Sequence, residues 1–153
     1  MIRVIGIGSP FGDDAAGLVV AQTLAAAPPP GAEVVVADRP GADLLELLDG
    51  VEAVILIDAV QSGAPLGTLH DLDLEALPQE GFALVSSHAL GVAEAVQLAR
   101  ALGRTPARGR LLGIEAAPAR AASVEEMTPT TGAAVERAVR RVHEWVERLT
   151  SVT

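Results

Sequence analysis

Three side chains of the types that bind metal ions stand far apart in the chain, each near the end of a predicted strand. They are Asp14, Asp58 and His88. Two carboxylates and one imidazole suit a borderline divalent ion such as nickel or zinc, and three protein ligands leave positions open for water or substrate. A metal held in this way can polarise a peptide carbonyl and lower the pKa of bound water to about 7. The three residues therefore predict a catalytic metal site suited to amide hydrolysis.

Predicted strands bring these side chains to one edge of a sheet. The β-branched run Ile2–Ile7 ends in a Gly-rich turn just before Asp14, and Val51–Ala59 is an almost continuous apolar strand. Asp58 is the exception within that second strand. A carboxylate there is costly to bury unless it is paired, hydrogen-bonded or bound to a metal. The position of Asp58 therefore favours a functional role.

His88 follows a further predicted strand, at Phe82–Val85, and precedes a helix predicted over Ala89–Leu102. Strands and helices alternate along the rest of the chain. This order predicts a three-layer α/β/α fold in one domain, residues 1–153, with a mostly parallel twisted sheet of about five strands and a crevice at their carboxyl ends. The other predicted elements are helices over Ala15–Ala27, Pro40–Leu48 and Thr128–Leu149, and strands over Glu33–Ala37, Gly67–Asp71 and Leu111–Ile114.

Composition excludes several kinds of chemistry and partner. The formal charge of -9 and the 2% of aromatic residues remove the usual basis of nucleic-acid binding. Cysteine is absent and every basic residue is arginine, which excludes thiol nucleophiles, iron–sulfur ligation and lysine-based catalysis. The apolar runs are too short to span a bilayer and the N-terminus lacks a signal-peptide pattern. We therefore expect a cytoplasmic protein, monomeric in view of its size and acidic surface.

The sequence leaves open two other interpretations of its function. Gly6, Gly8 and Gly12 follow a strand, and Asp38 ends the next one, as in a nucleotide-binding Rossmann-like module. Asp13 and Asp14 would however oppose a pyrophosphate at that helix N-terminus, although such acids often only complement a helix dipole. The second alternative is a non-catalytic metal-binding protein on this fold.

Other candidate residues are weaker. Ser87 adjoins His88, but the chain has no G-x-S-x-G motif. His70 on a predicted edge strand and His143 on a predicted helix face are assigned no catalytic role.

Short motifs in one order across the chain carry a likeness to a known family. The chain resembles the hydrogenase-maturation endopeptidases, which trim the C-terminal extension from the large subunit of nickel–iron hydrogenase. The segments that match the family are the Gly-rich turn with its acidic pair at 6–17, the strand Ile55–Ala59, the histidine motif Ser86–Gly91, the late strand Leu111–Glu115 and the helix start Met127–Pro129.

The resemblance implies that Asp14, Asp58 and His88 contact nickel and that the partner is a hydrogenase large-subunit precursor. It also allows the nickel to be supplied by that precursor, with zinc or cadmium able to substitute in crystals. Two departures from the family pattern bear on the substrate. Ser9 stands where asparagine is usual, and the loop Asp38–Asp43 is shorter than the family's glycine-threonine loop near the substrate.

Overall fold

A five-stranded sheet forms the centre of the protein. The structure is a computed structural model that describes residues 1–76, 91–117 and 126–152. Among these residues the strands lie in the order β2-β1-β3-β5-β4, with β4 antiparallel to β5 and the other neighbouring strands parallel. Their bounds are Ile2–Gly8 (β1), Ala32–Asp38 (β2), Ala53–Val60 (β3), Leu69–Asp73 (β4) and Arg108–Glu115 (β5).

Helices cover both faces of the sheet. One apolar cluster joins α1 and α4 to one face, and a second joins α2 and α3 to the other. This confirms the predicted three-layer α/β/α fold with its mostly parallel sheet. The helices are Ala16–Ala26 (α1), Asp43–Leu48 (α2), Val92–Ala101 (α3) and Pro129–Thr150 (α4).

Strand β3 is the most buried element, because every one of its residues is covered by helices or by neighbouring strands. Its side chains alternate between the two clusters: Ile55 and Ile57 face α1 and α4, whereas Val54 and Leu56 face α2 and α3. The same alternation places Asp58 on the α2/α3 face. Asp58 is in register with Gly113 of β5, so both lie at the carboxyl end of the sheet.

The observed elements depart from the predictions mainly at their ends. A short 3-10 turn, Gly12–Ala15, precedes α1 where the sequence predicts one continuous helix start. Thr128 is the N-cap of α4 with Pro129 at its first position, as predicted. The predicted strand Phe82–Val85 and the residue His88 lie outside the described residues.

No helix within the described ranges is both long enough and apolar enough to cross a membrane.

Candidate active site

The carboxylate of Asp58 is buried at the carboxyl end of the central strand, with only 3% of the residue exposed. Within the part of the chain that the structure describes, its Oδ1 atom has no hydrogen-bond partner. Burial raises the pKa of Asp58 well above its usual value, and the negative charge of Asp14 raises it further. A hydrogen bond from the backbone N–H of Ala59 opposes this shift but does not outweigh it. Asp58 therefore needs a proton or a cation beside it.

Asp14 reaches Asp58 from the 3-10 turn that follows β1. The turn is closed by a hydrogen bond from the Asp14 N–H to the carbonyl of Phe11, 3.2 Å long. The N–H of Ser9 donates to the Asp14 carbonyl at 3.3 Å, and the Ser9 hydroxyl donates to the Asp14 carboxylate. Ser9 itself is buried. Ser9, at the position where the sequence departs from the family pattern, thus orients the Asp14 side chain.

Glycine residues allow this turn to lie against the ends of β1 and β3. A Cβ atom at Gly8 would overlap the carbonyl oxygen of Asp14. A Cβ atom at Gly17, near the start of α1, would overlap the carbonyl oxygens of Ile7 and Ile57. Only glycine fits where two backbones approach so closely. This direct backbone packing sets the distance between Asp14 and Asp58.

The structure thus brings two of the three predicted site residues together and leaves the third untested, because His88 lies outside the described residues. Within residues 1–76, 91–117 and 126–152, no group of three or more histidine and acidic side chains is placed to hold a metal ion. The two carboxylates nevertheless fit a cation. They repel each other, and a buried oxygen of Asp58 has no donor among the described residues.

Asp13, the neighbour of Asp14, has a different role from the one that its sequence position indicated. Its carboxylate does not serve its own helix but accepts hydrogen bonds from Ala117, after β5, and from Thr128 and Thr131 at the start of α4. Burial by itself would raise the pKa of Asp13, but these hydrogen bonds outweigh burial and lower it. Sequence spacing gave no sign of this contact, because the partners lie more than a hundred residues away.

Glu115, at the end of β5, is a second buried carboxylate that the sequence analysis did not single out. It is 2% exposed and in register with Val60, just beyond Asp58 on the neighbouring strand. Both of its oxygens accept a hydrogen bond from the Ser62 N–H, and one of them also accepts from the Ser62 hydroxyl. His70 Nε2 lies 3.2 Å from the same oxygen. We call these three residues the Glu115 cluster.

The Glu115 cluster does not have the geometry of a catalytic triad. In a triad the two ring nitrogens of histidine contact the serine and the acid separately. Here the same atom, His70 Nε2, faces both the Ser62 hydroxyl and the Glu115 carboxylate. Burial would raise the pKa of Glu115, but the hydrogen bonds from Ser62 and the contact with His70 lower it. The sequence carries one signal for Glu115, an acid directly after the apolar strand Leu111–Ile114, but its role depends on partners from other elements.

Comparison with known proteins decides the family. A family model described as HycI, hydrogenase maturation protease, matches residues 19–147. The chain belongs to the hydrogenase maturation protease family. This confirms the resemblance seen in the sequence motifs. The matched range contains Asp58 and begins just after Asp14.

Solved structures of hydrogenase maturation proteases share the fold. The hydrogenase maturating endopeptidase HybD from E. coli is 27% identical with a TM-score of 0.76, over 92% of this chain and 88% of that one. An endopeptidase from Escherichia coli is 26% identical with a TM-score of 0.79, over the same shares of the two chains. The [NiFe] hydrogenase maturation protease HycI from Thermococcus kodakarensis KOD1 is 22% identical with a TM-score of 0.70, over 94% and 90%. No curated protein sequence matches the chain significantly.

Proposed function

We propose that the protein is an endopeptidase that removes the C-terminal extension of a nickel–iron hydrogenase large-subunit precursor after nickel insertion. In this proposal Asp14, Asp58 and His88 contact the nickel that the precursor carries. The observation that carries it is the Asp58 carboxylate, which is buried with an unpartnered oxygen among the described residues and is repelled by Asp14. The family to which the chain belongs supports the reaction type.

Burying an acid without donors costs free energy, so a functional reason for it is expected. Three of the described acids are buried, and both Asp13 and Glu115 are fully engaged by hydrogen bonds. Asp58 differs because, within the described residues, the N–H of Ala59 supports its carboxylate while Oδ1 has no partner. A bound cation would balance the negative charge of the Asp58 carboxylate.

The raised pKa of Asp58 explains why the ion should come with the substrate. The raised pKa means that a proton competes more strongly than usual with a metal ion for this carboxylate, since binding a metal requires the ionised form. A site of this kind binds a free ion weakly. When positive charge approaches the two carboxylates, the proton leaves Asp58, and the ionised pair then holds the precursor at this edge of the sheet.

The chain's own residues orient the reacting groups. Ser9 and the backbone of the 3-10 turn fix Asp14, and β3 fixes Asp58. A divalent cation bound here would polarise the scissile carbonyl and acidify an attacking water molecule. Phe11, 57% exposed at the start of the same turn, offers an apolar contact for the precursor beside the two carboxylates.

The nucleotide-binding alternative has less support. Asp14 lies in the 3-10 turn between β1 and α1, where its charge repels a pyrophosphate. The carboxylate of Asp38, which would bind a ribose in that alternative, is paired with Arg39. Two related solved structures above 25% identity are endopeptidases.

A cleavage assay with nickel-loaded and nickel-free precursor tests the proposal. We expect the protein to shorten only the nickel-loaded precursor, by one cut near its C-terminus. Asp58→Ala and His88→Ala should each lower the cleavage rate by at least about 100-fold, the scale expected for a group that acts at the reacting bond.

Glu147→Gln is the control, because Glu147 is an exposed acid in the last turn of α4. It should cleave like the wild-type protein. Undiminished cleavage by Asp58→Ala would exclude the proposed site, and equal cleavage of nickel-free precursor would exclude the role of nickel.

A further inference from the structure

The carboxylate of Asp13 joins parts of the chain that lie far from it in sequence. Oδ1 accepts a hydrogen bond from the Thr128 N–H at 2.7 Å. Oδ2 accepts three more, from the Ala117 N–H at 2.9 Å, the Thr131 hydroxyl at 2.9 Å and the Thr128 hydroxyl at 3.0 Å. The residue is only 4% exposed, and Thr131 is fully buried. Such an arrangement holds its members in a fixed geometry.

These donors come from the two segments that border the candidate site on the β5 side. Ala117 lies two residues after β5, Thr128 is the N-cap of α4, and Thr131 lies in its first turn. Asp13 itself lies in the 3-10 turn that also contains Asp14. A single buried carboxylate therefore ties the turn to the end of β5 and to the start of α4.

We propose that Asp13 is a positioning residue for the reaction, which fixes the 3-10 turn so that Asp14 stays at its place beside Asp58. This inference rests on the proposed function only for its consequence in cleavage. Asp14 has no rigid strand beneath it, unlike Asp58, and depends on the turn for its position. The backbone hydrogen bonds of the turn, from Asp14 to Phe11 and from Ser9 to Asp14, are long at 3.2 and 3.3 Å. An additional anchor is therefore needed.

The anchor requires a carboxylate and not merely a polar group. One backbone N–H points at each oxygen, from Thr128 at Oδ1 and from Ala117 at Oδ2. An asparagine has the same shape, but either orientation of its amide directs an NH2 group at a backbone N–H donor. The threonine hydroxyls can rotate to accept, whereas the two backbone N–H groups cannot. Asp13→Asn should thus release one end of the anchor.

Two isosteric variants and their controls test the inference. Asp13→Asn replaces the carboxylate, and Thr131→Val removes one buried hydroxyl donor, while Thr131→Ser keeps that donor. Glu147→Gln removes an exposed acidic charge from the last turn of α4. Each variant is assayed on nickel-loaded precursor well below its melting temperature, with the folded fraction measured by circular dichroism, so that loss of stability is separated from loss of rate.

We expect Asp13→Asn to lower kcat about 10-fold to 100-fold per folded molecule, since a misplacement of about 1 Å can cost about 100-fold. KM should change by less than about threefold, because the precursor contacts are otherwise intact. Thr131→Val should show a smaller loss of kcat. Thr131→Ser should keep the wild-type rate, and Glu147→Gln should leave the rate unchanged. A lower melting temperature with an unchanged kcat for Asp13→Asn would overturn the inference and leave Asp13 a purely structural group.

A second measurement does not depend on cleavage. Amide hydrogen exchange of Asp14 and Ser9 reports directly on the turn, because both N–H groups are hydrogen-bonded within it. Asp13→Asn should accelerate exchange at these two amides at least about 10-fold, because the turn then opens locally more often, and Glu147→Gln should not. Unchanged exchange would refute the positioning role. If the wild-type protein did not cleave the precursor, the proposed function would fail, but the exchange result would still decide the role of Asp13.

Discussion

Asp58 and Glu115 occupy matching places in the protein but differ in their partners. Each lies at the carboxyl end of a strand in the middle of the sheet, and each is almost fully buried, 3% exposed for Asp58 and 2% for Glu115. Ser62 and His70 surround Glu115 with hydrogen bonds, and its pKa is lowered despite burial. Asp58 has Asp14 for a neighbour, and its pKa is raised.

The difference teaches that burial alone does not distinguish a structural acid from a functional one. The distinction depends on whether the fold supplies hydrogen-bond donors to the buried carboxylate. The Glu115 cluster has its donors and holds the turn after β3 against the end of β5. Among the described residues, Asp58 Oδ1 has no donor, and burial beside Asp14 disfavours the ionised form of Asp58 until a cation binds. Proteins retain an unfavourable buried charge of this kind where function requires it.

Replacing each of the two acids by the corresponding amide should give the largest difference in cleavage rate. Asp58→Asn should lower the cleavage rate of nickel-loaded precursor by at least about 100-fold. Glu115→Gln should keep the rate per folded molecule within about threefold of the wild-type rate, since that carboxylate is already hydrogen-bonded to Ser62 and His70. Measuring both rates in one assay tests the comparison. Similar losses in the two variants would show that the cluster belongs to the site.

A glycine substitution tests whether backbone packing sets the distance between Asp14 and Asp58. Gly17→Ala should destabilise the protein by about 1–3 kcal/mol, because the added carbon overlaps two carbonyl oxygens, and should also lower the cleavage rate. The matched control is Gly132→Ala in α4, where a Cβ atom meets nothing within 4 Å. That change should stabilise the protein by about 0.5–1 kcal/mol through helix propensity. Urea unfolding of both variants gives the two free energies of unfolding, which should change in opposite directions.

Removing the Ser9 hydroxyl should have an intermediate effect. Ser9→Ala deletes the donor to the Asp14 carboxylate and should lower the cleavage rate about 10-fold, the smaller end of what losing a ligand's hydrogen-bond partner costs. Ser9→Asn should retain most of the activity, because an amide also donates. If Ser9→Ala had the wild-type kcat, the orientation of Asp14 would have to depend on other contacts.

The smallest effect concerns the dependence of stability on pH, measured with a chelator present. The folded-state pKa of Asp58 is raised above its unfolded value of about 3.9. The stability that protonated Asp58 contributes is therefore fully present below this unfolded value and is lost as pH rises through the folded-state pKa. The difference in melting temperature between Asp58→Asn and the wild-type protein should therefore shift in favour of the variant as pH rises above about 4.

Glu115 should show the opposite trend, since its folded-state pKa is lowered. Its contribution is present above the unfolded value of about 4.3 and is lost as pH falls through the folded pKa. The advantage of wild type over Glu115→Gln should thus disappear in acid, with a difference of about 2–4 °C in melting temperature per kcal/mol at neutral pH. Parallel pH profiles for the two variants would contradict the assignment of opposite roles.

The sequence predicted the fold well because the signals for it are local. The apolar run that became β3 and the Thr128–Pro129 start of α4 are determined by neighbouring residues. Asp58 was predicted for the same reason, as an acid within an apolar strand. The roles of Asp13 and Glu115 could not be read in this way, because their donors come from other elements, Ala117 and Thr128 for one and Ser62 for the other. His88 remains a prediction.

Gly17 limits how a protein with this architecture can be altered. Because α1 lies in backbone contact with the ends of β1 and β3, the helix cannot be shifted inward to suit a larger or smaller ion, and any side chain at Gly17 would push it away. Changes of specificity must instead come from the side chains at the two acidic positions and from the loops above them. For protein engineering, the practical consequence is that new substrates should be sought by varying the loop after β2 while α1 and its glycine are left untouched.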